Sequence, residues 1–254
     1  IKGNITFYSL KEQKITRELL CPLPQKTLDI EKYINCCDIT DEHDFLFVGY
    51  QLGTICVFDL KKNQCKYNVN KIHDGKSCIS IKYSYREAKN VFHILSSDID
   101  GNVNYSVIKD GMLGWRLVST SRLIENHDVP IFYLKFIKTT DFPNFNQKLN
   151  ETAIFGAMDA FNLYSLEHEI NEIAVIEKPD YVKESCVPDL QVGLGKSLIY
   201  RYHRNTNDET NRLLMAFSWG RAVTFYELDI KDEVITYPKL IGNYINEVSI
   251  LKVG

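Results

Sequence analysis

The chain has 254 residues, with 30 basic and 33 acidic side chains that give a formal net charge of −3. This balance argues against nucleic acid as the main partner, because phosphate binding requires a concentrated basic face. No apolar run approaches the ~18 residues that a membrane-spanning helix needs, so the sequence predicts no such helix.

The first predicted element is a β-hairpin that recurs along the chain. Each copy is a short run of alternating apolar residues after a tight turn, and most copies follow another apolar run. Successive copies begin 48–60 residues apart. The copies are GNITFYSL from Gly3, GTICVFDL from Gly53, GNVNYSVI from Gly101, AFNLYSLE from Ala160 and GRAVTFYEL from Gly220.

A second repeated element lies between the hairpins. It is a His-Asp pair followed by an apolar strand, as in HDGKSCISIKY from His73 and HDVPIFYLKF from His127. Together with the hairpin it makes a four-stranded unit, and a sheet repeated at this interval is typical of a β-propeller blade. Phe58-Asp59 stand where WD repeats often have Trp-Asp, and His73 stands where they often have Gly-His.

The fold class predicted from these repeats is all-β, a WD-repeat-like β-propeller with about five blades' worth of a larger ring. We expect residues 1–254 to form a single propeller portion, cut from a longer chain, with hairpin turns near 3, 53, 101, 160 and 220. Gly53 and Gly101 are predicted to occupy equivalent turns, with positive φ and exposed at the propeller edge. Two polar inserts, 138–152 and 203–212, are predicted to be surface loops.

The turn in the third copy has oxygen side chains at the spacing of a calcium loop. With Gly101 at the sixth position, Ser96, Asp98 and Asp100 fall at the first, third and fifth. The twelfth position needs a bidentate glutamate but is Val107, and the flanking residues alternate as strands do. The pattern therefore predicts a hairpin turn that binds no calcium.

Two further patterns resemble reactive or ligand-binding sites. VGLGKSL at 192–198 lacks the first glycine of a phosphate-binding loop and continues as a strand, so a turn is predicted there. Within the pairs His73-Asp74 and His127-Asp128, adjacent strand residues point to opposite faces and do not pair as a base with its carboxylate. Their recurrence favours a role in bracing neighbouring blades.

No residue set supports catalysis, so we predict that the chain is not an enzyme. We assign no catalytic, cofactor-binding, metal-binding or partner-binding residue, and expect Trp115 and Trp219 to be packing residues beside blade strands. The cysteines have irregular spacing without a Cys-x-x-Cys motif, which favours free thiols in a reducing cytosol. They are Cys21, Cys36, Cys37, Cys56, Cys65, Cys78 and Cys186.

The N-terminal propeller of the vacuolar protein sorting-associated protein 8 family resembles residues 40–125 and 212–254 of this chain. The first region contains FLFVGYQLGTICVFDLKKNQC, HDGKSCISIKY and ILSSDIDGNVNYSVIKDGMLGWRLVSTSRLI, in that order, and the second contains LLMAFSWGRAVTFYELD. Phe58 replaces the family's usual tryptophan, and Ile72 replaces the usual alanine before histidine.

The resemblance implies a non-catalytic scaffold of the CORVET endosomal tethering complex, a Rab effector in endosome fusion and in protein transport to the vacuole or lysosome. The implied partners are the other tethering subunits and an endosomal Rab GTPase. The implied location is the cytoplasm, peripheral on the endosomal membrane through those partners only. Two alternatives stay open: a generic WD-repeat adaptor, such as a ubiquitin-ligase substrate receptor, and a propeller enzyme with a site in its central channel.

Overall fold

The computed structural model describes most of the chain as antiparallel β-sheets joined by turns. Within the described residues the only helix is one short 3-10 turn, Asp29–Lys32. The all-β prediction is therefore confirmed. The described residues are 3–42, 44–70, 72–86, 90–125, 129–137, 151–166, 170–182, 189–194, 213–228, 230–231, 234–235 and 238–245.

The first of two compact units, residues 1–134, contains one two-stranded and two four-stranded sheets. In each of them the strands are neighbours in chain order. The two-stranded sheet is β1 (Ile5–Ser9) and β2 (Lys14–Leu19). The first four-stranded sheet consists of β3 (Ile34–Ile39), β4 (Phe45–Tyr50), β5 (Ile55–Asp59) and β6 (Gln64–Val69). The second consists of β7 (Cys78–Arg86), β8 (Val91–Asp98), β9 (Val103–Gly111) and β10 (Gly114–Ile124).

The second unit, residues 135–254, repeats the four-stranded pattern. One sheet is β11 (Tyr133–Ile137, which begins just before the unit boundary), β12 (Thr152–Gly156), β13 (Ala160–Ser165) and β14 (Asn171–Glu177). The strands that follow in the chain are β15 (Asp189–Leu194), β16 (Leu213–Trp219), β17 (Ala222–Glu227), β18 (Ile230–Lys231), β19 (Val234–Ile235) and β20 (Lys239–Ile245). The last large sheet has the order β15-β16-β17-β20, and β18 pairs with β19 in a small sheet of their own.

The sheet of β3 to β6 has a hydrophobic core on both of its faces. Phe47, Ile55 and Val57 belong to a cluster that also contains Phe92 and Ile94 of β8. A second cluster packs other residues of β4 and β5 against Leu19 and Phe7 of the two-stranded sheet. A strand covered on both faces is almost continuously apolar, which explains the sequences FLFVGY and ICVFD.

Both tryptophans pack in aromatic groups, as predicted. The ring of Trp115 lies 5.1 Å from the ring of Phe92 and 5.1 Å from that of Phe45. In the second unit, the ring of Trp219 lies 5.4 Å from that of Phe161 and 5.8 Å from that of Phe217. Such aromatic pairs contribute about 0.5–1.5 kcal/mol beyond the area that they bury.

The hairpin glycines have the predicted backbone but not the predicted exposure. The φ angles of Gly53 and Gly101 are +78° and +79°. Both residues are buried, however, and the prediction that they are exposed was wrong. The segment that leads into β7 covers both turns: the backbone of Lys76 lies against Gly53, and Ile99 N donates to Ser77 O at 3.0 Å beside the second turn.

Candidate functional site

A group of buried polar side chains surrounds His73 in the first unit. This histidine lies between β6 and β7, and its Nδ1 is 3.0 Å from Oδ2 of Asp98. Its Nε2 is 2.9 Å from Oγ of Ser96. Ser96 and Asp98 are two residues apart on β8, so both side chains project from the same face of the strand. We call these three residues the His73 network.

Asp98 accepts further hydrogen bonds from its own turn. Its Oδ1 accepts from the backbone N–H groups of Asp100 and Asn102 at 3.0 Å, and the Asn102 side chain donates to both carboxylate oxygens. Burial alone would raise the pKa of Asp98, but hydrogen bonds from His73 and Asn102 outweigh it and lower the pKa below its usual value. Asp98 is therefore a carboxylate at neutral pH. Nδ1–H of His73 can donate to it, while Nε2 accepts from the Ser96 hydroxyl.

Asn104 ties the segment before His73 to the same hairpin. Its Nδ2 donates to the backbone carbonyl of Ile72 at 2.9 Å, across 32 residues of sequence. The linker from β6 to β7 is thus held to both strands of the β8–β9 hairpin by side chains. These bonds fix the linker to the sheet of β7 to β10, and bracing between neighbouring blades stays a prediction.

The order serine, histidine, aspartate in this network is that of a catalytic triad. A nucleophile must reach a substrate, however, and the exposed fractions are 0% for Ser96, 1% for His73 and 0% for Asp98. The side chains also use their hydrogen-bonding capacity on one another and on Asn102. The burial and the contacts together favour a structural role for the network.

The carboxylate that contacts His73 belongs to Asp98 and not to Asp74, the adjacent residue in sequence. Asp74 instead forms an ion pair with Arg122 of β10, at 2.8 Å. The two side chains separate as predicted, but for a different reason: both residues lie in a turn before β7, so the predicted strand at this position was wrong. The second pair, His127-Asp128, lies outside the described residues.

The oxygen atoms considered as calcium ligands are engaged in other contacts. Ser96 and Asp98 bind His73, and Asp100 forms an ion pair with Lys76 at 2.8 Å. Among the described residues, no group of three or more His, Cys, Asp or Glu side chains has the arrangement of a metal site. The turn between β8 and β9 is a hairpin closed by a hydrogen bond from Gly101 N to Asp98 O, and calcium independence stays a prediction.

The glycine-rich stretch at 192–198 begins inside a strand. Val192, Gly193 and Leu194 belong to β15 and pair with β16. The remaining residues, 195–198, lie outside the described part of the chain. A helix N-terminus is what a phosphate-binding loop requires, and the described portion of the stretch is extended.

The six cysteines within the described residues are free thiols, as predicted, whereas Cys186 lies outside those residues. The Sγ atoms of Cys36 on β3 and Cys78 on β7 are 3.6 Å apart. The hydrogen bond with Cys36, together with burial, raises the pKa of the Cys78 thiol well above its usual value. Since the thiolate is the reactive form, Cys78 is poorly suited to nucleophilic chemistry.

Two hairpins of the first unit expose apolar side chains at or near their turns. Tyr8 and Ile15 face each other across β1 and β2, with 56% and 64% of their surfaces exposed, and Leu10 follows at the turn. Met112 and Leu113 form the turn between β9 and β10 and are fully exposed. No helix in the described part of the chain is long and apolar enough to cross a membrane.

Comparison with known proteins identifies one family. A family model described as "Vps8 beta-propeller" matches residues 2–242, which include almost every described strand. No curated protein matches the chain at a significant level. The match agrees with the repeated four-stranded sheets and with the family resemblance of the hairpin sequences.

Proposed function

Because this chain belongs to the Vps8 beta-propeller family, we propose that it is a non-catalytic scaffold of a CORVET-like endosomal tethering complex. In this role it binds the other tethering subunits and a GTP-loaded endosomal Rab, and so contributes to endosome fusion and to protein transport toward the vacuole or lysosome. It works from the cytoplasmic side of the endosome as a peripheral component. The family match over residues 2–242 is the observation that carries the proposal.

The proposal treats residues 1–254 as one portion of a propeller. Each four-stranded sheet is then a blade, and the turns near residues 53, 101, 160 and 220 join its two central strands. The turn near residue 3 leads into β1, which takes the place of a third strand. The two-stranded sheet of β1 and β2 corresponds to the outer half of a further blade. Its residues Ile5 and Phe7 pack against the next sheet, as strands of a neighbouring blade would.

The contacts of the first unit support a scaffold role. The sheet of β3 to β6 is buried on both faces, and the His73 network fixes the linker that leads to the next sheet. A frame with little freedom to deform can present variable turns and outer strands to partners. The burial of Ser96, the only hydroxyl in the triad-like network, supports a non-catalytic role for that network.

We expect the purified chain to assemble with the other subunits of an endosomal tethering complex. Size-exclusion chromatography of the mixed proteins should show the chain in the fractions that contain at least one of those subunits. Subunits of a tethering complex from another transport route serve as the control and should elute separately from the chain. Failure to co-elute with every endosomal subunit would lead us to abandon the scaffold proposal.

A further inference from the structure

The hairpin between β9 and β10 carries an apolar tip that protrudes into solvent. Met112 and Leu113 form this tip, and their relative exposures are 106% and 104%. Gly111 and Gly114 flank them, and Gly114 has a φ of +96°, which closes the turn. Two adjacent large apolar side chains that are fully exposed make the tip a candidate contact surface for a protein or a membrane.

Two basic residues lie behind the tip on the same face of the hairpin. Lys109 of β9 and Arg116 of β10 are directly paired across the two strands. Neither forms an ion pair with another described residue. With a rise of about 3.3 Å per residue, the backbone positions of Lys109 and Arg116 lie roughly 10 Å or less along the strands from the tip.

The opposite face of the hairpin anchors it to the core. Trp115 pairs with Asp110 across the strands, and its ring packs against Phe45 and Phe92. Asn90 also donates to the backbone carbonyl of Asp110 at 2.7 Å. The base of the hairpin is therefore fixed, and it holds the apolar tip and the two cations in a constant relative position.

We propose that this hairpin tip inserts into an anionic lipid surface. A protruding tip of two residues offers far less than the roughly 800 Å² per partner that a standard protein interface buries. A bilayer, in contrast, accepts apolar side chains to a depth of about 5–10 Å, and anionic headgroups attract basic residues at the surface. Met112 and Leu113 then enter the acyl boundary while Lys109 and Arg116 lie among the headgroups.

This contact goes beyond the proposed function, in which the chain reaches the membrane through protein partners. Two apolar and two basic side chains provide a weak anchor when they act alone. In an assembled tether the same contact gains from effective concentration, because the protein partners already hold the chain at the membrane. The tip would also orient the first unit relative to the lipid surface.

The test is flotation of the purified 254-residue chain with phosphatidylcholine vesicles that contain phosphatidylserine, compared with pure phosphatidylcholine vesicles. The vesicles are used in large excess so that a weak contact is detected. The wild-type chain should then float with the anionic vesicles, and Met112→Asp/Leu113→Asp should reduce the bound fraction about tenfold or more. Lys109→Glu/Arg116→Glu should weaken binding and remove its preference for phosphatidylserine. Leu10→Asp is the matched control, since Leu10 is 87% exposed at another hairpin turn, and it should bind as the wild type does.

Tryptophan fluorescence is a second readout, which tests whether the tip enters the bilayer. The chain has two tryptophans, and Trp219 is fully buried, so quenching by lipids with brominated acyl chains reports on Trp115, two residues from the tip. We expect quenching in the wild type and in Leu10→Asp, and its loss in Met112→Asp/Leu113→Asp.

The proposal is overturned if the wild type ignores anionic vesicles, or if the tip variant and the Leu10 variant lose binding equally. It is also overturned if the tip variant binds vesicles normally but no longer co-elutes with tethering subunits, because the tip is then a protein-binding surface. The subunit assembly experiment contains no lipid, so failure of one proposal is distinguishable from failure of the other.

Discussion

Replacing Asp98 with alanine is expected to lower the free energy of unfolding by about 3 kcal/mol or more, because each buried donor left without its acceptor costs about 1–3 kcal/mol. The change removes the acceptor of His73 Nδ1 and of three donors in the β8–β9 turn. His73 is 1% exposed, so water does not replace the lost partner without opening the structure. Urea unfolding followed by circular dichroism measures the difference.

Asp100→Ala is the matched control for this variant. Asp100 lies in the same turn, but among the described residues its carboxylate forms an ion pair with the exposed side chain of Lys76 alone. Exposed ion pairs contribute little to stability, so we expect a much smaller loss than for Asp98→Ala. Equal losses in the two variants would contradict the assignment of Asp98 as the centre of the buried network.

The stabilisation by Asp98 should also depend on pH in a defined direction. Its pKa in the folded chain is lower than the usual 3.8, so the unfolded state binds its proton first as the pH falls. The contribution of the charged form is then fully present above about pH 3.8 and is lost as the pH decreases through the folded pKa. The stability difference between wild type and Asp98→Ala should therefore narrow in this acid range.

Replacing Gly53 with alanine is expected to cost about 3 kcal/mol, the second large effect. Part of the cost, about 1–2 kcal/mol, arises because an L-residue is strained at a φ of +78°. The rest, roughly 1–3 kcal/mol, arises because the new Cβ would overlap the carbonyl oxygen of Lys76 and crowd Cβ of His73. The overlapped atom is backbone, so a side-chain rotation does not relieve the clash.

Gly75→Ala separates these two causes. Gly75 has a similar φ, +82°, but no atom lies within 4 Å of the position that its Cβ would take. We expect this variant to lose only the backbone component, about 1–2 kcal/mol. If chemical denaturation gives the same loss for Gly53→Ala and Gly75→Ala, the close approach of Lys76 is not a constraint on the fold.

The hairpins could be predicted from sequence because their determinants are local. Glycine at the turn and alternation after it identified β5, β9 and β17, and the apolar run after His73 identified β7. The burial of Gly53 depends on a segment more than 20 residues later, which no local pattern reports. For the same reason, the prediction that Gly53 and Gly101 are exposed at the propeller edge was wrong.

The His73 network was also beyond local reasoning. His73 and Asp98 are 25 residues apart, and the adjacent Asp74 offered a more obvious partner. The sequence pattern around Asp98 indicated only a possible calcium ligand, because its carboxylate lies in an Asp-rich turn. An aspartate recurs in the hairpin turn that follows each His-Asp pair, Asp98 after His73 and Asp159 after His127. This recurrence is the sequence signal that could have predicted the contact between His73 and Asp98. The apolar tip at Met112 was also not predicted, because its exposure is evident only once β9 and β10 are known to pair.

The proposed role as a tethering scaffold that recognises an active Rab is tested most directly by calorimetric titration. The purified chain is titrated with an endosomal Rab GTPase loaded with a non-hydrolysable GTP analogue and, separately, with GDP. We predict that the chain binds the GTP form about tenfold or more tightly than the GDP form, because the γ-phosphate orders the switch segments that an effector contacts. Equal affinity for the two forms, or no binding of the GTP form, would contradict the proposed role.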